Sequence, residues 1–382
     1  MADLNFNISP NIVLGAYTSF RLGQYAKEWG QRYMVIIDPV LKDIVKTEKI
    51  LDSLDIRSVS YFIFDEVGIG SDSQTMETAL KLARDACIQG VIAIGGASIQ
   101  GIGRIVSALY NEKSNFYEYI DSKIPESDAI PFIAVPSTVR SMFLFTDSVP
   151  VTDARSRQTR ILKIQPSLCK LAIFDSNLHV SLPENQAGAI VLETLCLSCE
   201  AYLSQKANFF SDMFAEKAIS VLGEFINYSE NTAAGSNQAI LLSESGCLAS
   251  IAAGVSSIGP ASLIALTAYS RYNITRTLTT AIIFPHMIED IAKYKEDKVV
   301  KIAELLGVTA ETNEPKDIIS SLLKNIRQRL ALTNLPARLK DLSLSIEEFA
   351  MAVEDAGQLD LINGMPRSMS TDDLFSLMKI SY

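Results

Sequence analysis

The chain changes periodicity near residue 175, and that single break limits its fold more than any other feature. Ahead of it stand four apolar runs rich in β-branched and aromatic residues, at 33–37, 59–64, 91–94 and 132–135. Each is closed by a turn residue or by Asp38, Asp65, Gly95 or Pro136. Between the second and third, residues 75–86 place Met76, Ala79, Leu80, Leu82 and Ala83 at helical spacing. Strands alternating with helices are joined by crossovers, so the first half reads as a doubly wound α/β layer on a parallel sheet. Such layers hold ligands at the carboxyl ends of their strands. Beyond the break only helical patterns remain, at 185–204, 210–225, 237–257, 261–272, 285–305, 315–330, 346–355 and 371–380, the last opened by Ser370 as N-cap with acids in its first turn. No repeat and no Pro- or Ser-rich linker divides the halves. We expect an α/β domain over 1–178, a helical domain over 179–382 and a tight hinge near 176–182, with the cleft between them as the default ligand site.

At 382 residues the chain has the length for two domains with cores of their own. Lys and Arg number 34 against 44 Asp and Glu, and the net charge of −10 argues against a protein that works by gripping nucleic acid or anionic membranes. A local basic pocket stays open. The five cysteines are an odd number spread thinly, and the start MADLNFNISPN has neither a basic nor an apolar leader segment, so we expect free thiols and a cytoplasmic setting. Residues 246–270 carry no charge and are long enough to span a bilayer, but Gly259-Pro260 breaks them, and two buried helices are the better reading.

Three short stretches carry chemistry. Gly95-Gly96-Ala97-Ser98 follows an apolar run and opens the helical pattern 99–109. Glycines there let a pyrophosphate approach the backbone, while free N–H groups and the Ser98 hydroxyl supply donors along the helix dipole. Read alone, the stretch serves equally as a plain strand-to-helix turn. Asp38, ending the first run, could accept both hydroxyls of an adenosine ribose and repel a 2′-phosphate, favouring NAD over NADP, or it could be an ordinary solvated turn residue before Pro39. Arg140, Arg155, Arg157 and Arg160 could recognise a phosphate or carboxylate; the plainer alternative is an exposed hairpin with ordinary charges. Cys196-x-x-Cys199 lies in an apolar helical pattern without a second pair or a neighbouring His, and reads as two buried thiols. The run KYKEDKVVK at 293–301 reads as a solvated helix face.

Taken together, Ile37-Asp38-Pro39, Ile94-Gly95-Gly96-Ala97-Ser98, Val135-Pro136-Ser137-Thr138, Phe174-Asp175 with Leu178 through Pro183, Glu200-Ala201-Tyr202, Tyr272-Asn273-Ile274 and Ile283-Phe284-Pro285-His286 fall in the order and spacing of the iron-containing (group III) alcohol dehydrogenases. The chain resembles that family nearly end to end. The resemblance implies a dehydroquinate synthase-like architecture, with a dinucleotide-binding α/β domain and a helical domain. It also implies NAD(P) at the glycine turn beside Ser137 and Thr138, a divalent metal held by one Asp and three His, a small carbonyl or alcohol as substrate, and a homodimer built through the first strands.

The departures bear most on function. The family's metal ligands fall on Glu193, Leu197, Ser262 and Arg276, and the chain has only two histidines, His179 and His286. One oxygen ligand and no imidazole remain, so a conventional metal is not expected. Arg140-Ser141-Met142-Phe143-Leu144 replaces a small-residue segment, with Met142 and Phe143 expected to narrow the nicotinamide end, and Gly101 and Arg104 replace an Asp and a Lys. A guanidinium at Arg276 paired with Glu193 would neutralise a buried carboxylate. It either polarises a substrate carbonyl in place of the ion or merely plugs a dead site. The leading expectation is an NAD(P)-dependent oxidoreductase without metal. The alternative is a catalytically inactive nucleotide or small-ligand binding protein on the same scaffold.

Overall fold

A strand whose two faces are both covered must be apolar at every position, and residues 33–37 and 91–94 are wholly buried. They belong to a six-stranded, all-parallel sheet in the order β1-β8-β5-β4-β2-β3, formed by β1 (Asn11–Leu14), β2 (Arg32–Ile37), β3 (Ser60–Phe64), β4 (Gly90–Gly95), β5 (Phe132–Pro136) and β8 (Cys169–Phe174). The computed structural model describes residues 8–68, 72–178, 184–231 and 236–382. Helices α1 (Leu22–Ala26) and α2 (Val45–Ile56) cover one face, where Leu22, Ala26, Ile50 and Leu54 join Val35, Ile37, Ile92, Ile94, Ile133 and Val135 in one core. Helix α4 (Ala97–Leu109) packs on β4 and β5, with α3 (Ser73–Asp85) against it and α5 (Phe116–Ile120) beyond. An antiparallel hairpin of β6 (Ser148–Thr152) and β7 (Thr159–Lys163) stands apart from the sheet.

The chain divides into two units, Met1–Val180 and Ser181–Tyr382. Among the described residues the second contains helices and no strand: α6 (Glu184–Leu203), α7 (Phe209–Asn231), α8 (Ser236–Val255), α9 (Pro260–Tyr272), α10 (Arg276–Ile291), α11 (Glu296–Leu305), α12 (Pro315–Leu332), α13 (Ile346–Gly357) and α14 (Thr371–Ser381). The Gly259-Pro260 break divides the membrane-like stretch 246–270 between α8 and α9, as expected. Helix α8 is apolar and long enough to cross a bilayer, but more than half of its apolar window is buried and it packs on α6 and α7 as a core helix does. Ser370 caps α14 and closes a reciprocal capping box with Asp373.

The fold corrects the sequence reading at several points. Residues 285–305 are not one helix begun by Pro285. Pro285 lies inside α10, and the chain turns at 292–295 before α11 begins. That turn lets the Lys295 and Lys298 ammonium groups donate to the Leu203 and Tyr202 carbonyls at the end of α6, 2.7 and 2.8 Å away. The run 293–301 is therefore in part an anchor, where a solvated face is expected. Strands β1 and β8 and the 148–163 hairpin are further elements beyond the four apolar runs.

Candidate functional site

Three adjacent strands of the sheet deliver the predicted nucleotide residues to one edge. Asp38 leaves β2 half-buried, and its backbone N–H donates to the Ile94 carbonyl at 3.0 Å, which seats it beside the turn after β4. Its Oδ1 also accepts from Val40 N at 3.2 Å and caps the short 3-10 turn Pro39–Leu41. The turn itself needs glycine: a Cβ on Gly95 would stand 2.6 Å from the Ile99 side chain. Gly96 is the N-cap of α4 and offers no side chain to its first turn, so the amides of that turn keep the partial positive charge of the helix end. From β5, Ser137 N donates to Gly95 O at 3.1 Å, and the Thr138 methyl lies 3.4 Å from where a Gly96 Cβ would be. Asp38, Gly95, Gly96, Ala97, Ser98, Ser137 and Thr138 thus converge.

Beyond Thr138, whose hydroxyl donates to Arg140 O at 3.0 Å, the segment turns inward. Arg140 is buried at 6% exposure. Met142 and Phe143, expected to crowd the nicotinamide end, are 6% and 9% exposed and belong to the packed interior of this unit. Arg155 bonds Asp121 and Asp153 and stacks 4.6 Å over Tyr117, and Arg157 pairs with Asp72 at 3.7 Å. These hairpin arginines are structural charges separate from Arg140.

In the second unit Glu193 and Leu197 on α6, Ser262 on α9 and Arg276 at the start of α10 lie on three mutually packed helices. Glu193 and Leu197 are fully buried and Ser262 is 1% exposed. Arg276 is half-buried, its guanidinium 5.0 Å over the Tyr269 ring. Cys196 and Cys199 are fully buried, and burial with Glu200 nearby pushes both thiols above their ordinary range, so they remain protonated. Glu200, part of the Glu200-Ala201-Tyr202 motif, makes a contact that the sequence does not show. From α6 it reaches the start of α9, where its Oε1 accepts Ser262 N at 3.0 Å and its Oε2 has no hydrogen-bond partner. Gly259 makes room for it, since a Cβ there would meet the carboxyl at 2.8 Å.

Known proteins share this fold. The family description "Iron-containing alcohol dehydrogenase" matches residues 9–176, and that of the Fe-containing alcohol dehydrogenase family's C-terminal domain matches 189–382. The chain belongs to the iron-containing alcohol dehydrogenase family. Lactaldehyde reductase of Escherichia coli K12 is 21% identical over 357 residues, 91% of each chain. The 1,3-propanediol dehydrogenase of Citrobacter freundii is 22% identical over 333 residues, 86% of this chain and 85% of that one. A solved 1,3-propanediol oxidoreductase matches with a TM-score of 0.90 at 18% identity over 99% of both chains. Sulfoacetaldehyde reductase from Bifidobacterium kashiwanohense, solved in complex with NAD+, matches at 0.83 and 14% identity over 99% and 98%. The resemblance drawn from the motifs and the α/β-plus-helical fold class are both borne out.

The four positions that the resemblance assigns to metal ligands carry a mixed set of side chains in the helical unit. Among the described residues no three His, Cys, Asp or Glu side chains are grouped as metal ligands would be. Glu193 contributes oxygen and Ser262 a hydroxyl, but Leu197 contributes nothing and Arg276 brings a positive charge. These residues do not fit a tightly held divalent ion. His286 stands half-buried on α10, its imidazole held below the usual value by burial and by Arg327. His179 lies outside the described residues.

Proposed function

We propose that this family member moves hydride between a nicotinamide dinucleotide, NAD(H) in preference to NADP(H), and a small carbonyl or alcohol, without a tightly bound metal. The convergence of Asp38, Gly95-Gly96-Ala97-Ser98 and Ser137-Thr138 at one sheet edge carries the reading. In it Asp38 accepts the ribose hydroxyls and repels a 2′-phosphate, the first turn of α4 receives the pyrophosphate, and Arg140 adds a cation nearby. Two relatives, an NADPH-dependent butanol dehydrogenase of Clostridium saccharobutylicum and an NADH-dependent butanol dehydrogenase of Thermotoga maritima, support use of a nicotinamide. Five free cysteines support a cytoplasmic setting. We expect no nucleic-acid or membrane partner, and a homodimer.

Held by Asp38, the first turn of α4 and Arg140, the dinucleotide would supply hydride to the substrate's carbonyl carbon, and solvent would supply the proton that the carbonyl oxygen takes up. Arg276 is the fixed cation that stabilises the charge developing on that oxygen, with Glu193 as its buried counter-charge. Removing one such donor costs about 10²–10³ in rate, so Arg276→Ala should lower carbonyl reduction by that factor while leaving dinucleotide affinity intact. Reduction by the variant at the wild-type rate would sink the role of Arg276. The unfitting ligand set favours one second reading, an inactive nucleotide or small-ligand binding protein with Arg276 and Glu193 as a structural plug. Fluorescence titration with NADH and NADPH tests the first: failure of both nucleotides at millimolar concentration ends it, while NADH binding with no carbonyl-dependent NADH oxidation favours the second.

A further inference from the structure

Arg104 is a buried cation that the scheme above does not use. It projects from α4, the helix whose first turn forms the glycine site, and is 3% exposed. Its Nη1 donates to Phe143 O at 2.7 Å and Ser148 O at 3.1 Å, and its Nη2 donates to Thr146 O. Its Nε has no partner, and no carboxylate is hydrogen-bonded to it. Burial lowers its pKa to about 10, which still leaves it charged at neutral pH. A buried cation hydrogen-bonded only to neutral carbonyls, with the Asp147 carboxylate acting on it through charge alone, is costly unless those groups are all held in place, so the charge and the conformation of 143–148 are coupled.

That segment continues directly from the nucleotide edge. Thr138 beside Gly96 bonds Arg140 O, Thr146 bonds Phe143 O and Ser148 O through its hydroxyl, and Phe145 stacks parallel on Phe174 at 6.4 Å. We propose that Arg104 is a positioning residue for the nucleotide site: a cationic clamp that ties 143–148 to α4 and so fixes the stretch from Thr138 to Arg140 against the glycine turn. This rests on the nucleotide reading given above. A lysine, being a point charge, cannot meet three carbonyls in one plane as a guanidinium does. A cavity of about 270 Å³ lies against this side chain, lined by Arg104, Thr146, Asp147, Gln165 and Cys169 among others.

The test uses Arg104→Ala and Arg104→Lys, with three readouts: NADH affinity, amide hydrogen exchange of residues 141–148, and the melting curve. We expect Arg104→Ala to weaken NADH binding about tenfold or more, as loss of charge-assisted bonds does, and to speed exchange in 141–148. Millimolar guanidinium chloride, but not equal sodium chloride, should restore both. Arg104→Lys should fall between, and its affinity decides the matter if the alanine variant does not fold. Unchanged affinity and exchange, or a loss that guanidinium does not repair, would overturn the clamp. Should the wild-type protein bind no dinucleotide, the nucleotide reading fails by itself, and exchange with guanidinium rescue still decides whether Arg104 holds the segment.

Discussion

Two carboxylates show how one residue type is turned to different ends. Asp38 caps the turn after β2 with one oxygen and stands at the proposed ribose position. Asp38→Asn keeps a capping oxygen but removes the charge. Hydrogen bonds to charged groups are worth about 1.5–3 kcal/mol, so we expect NADH affinity to fall about tenfold or more and the preference over NADPH to shrink, both read by titration. Glu200 works as a remote cap for α9, and burial raises its carboxyl above the ordinary 4.5 despite donors from the helix end. A raised folded value means that its stabilising contribution is full below the unfolded 4.5 and is lost as pH climbs from there through the higher folded value. Glu200→Gln cannot ionise, so its melting temperature relative to wild type should rise steadily from pH 4.5 toward neutrality. A constant difference would show that folding does not raise the carboxyl's pKa.

At the scale of elements, the sheet is legible in sequence because both faces of its central strands are covered. Continuous apolar runs such as 91–94 carry no competing helical pattern. Strands β1 and β8 are harder to see: one is four residues long, and the other is interrupted by Lys170. The convergence of Asp38, the glycine turn and Ser137-Thr138 is readable because these residues follow directly on strand ends, where spacing alone sets position. The contacts of Glu200, Arg104, Lys295 and Lys298 are not, since each acts on backbone far away in the chain. Pro285 misleads for a related reason. The isolated rule makes proline a helix start, yet α10 is buried along most of its length and tolerates the missing ladder bond. The Glu200–Gly259 contact offers a direct check. Gly259→Ala should cost about 1–3 kcal/mol through overpacking against the carboxyl, measured by denaturant melts. Pairing it with Glu200→Ala should cost less than the sum of the two single changes.

For the molecule as a whole, the donor set of the helical unit predicts that purified protein carries no stoichiometric iron or zinc. Chelation should leave its melting temperature unchanged, because a metal held by the folded state alone would add stability that grows with the logarithm of its affinity. Elemental analysis with and without chelator measures this; a stoichiometric metal whose removal lowers the melting temperature would refute it. The fully buried Asp175, at the end of β8, has a different reach. It receives Tyr17 N and Ser19 N, each at 3.0 Å, and the Ser19 hydroxyl, across more than 150 positions of chain. Proteolytic clipping past Ser19 would strip these donors from a carboxylate that water cannot reach. Damage at the amino-terminal margin would then surface at the last strand of the sheet, long after it in synthesis.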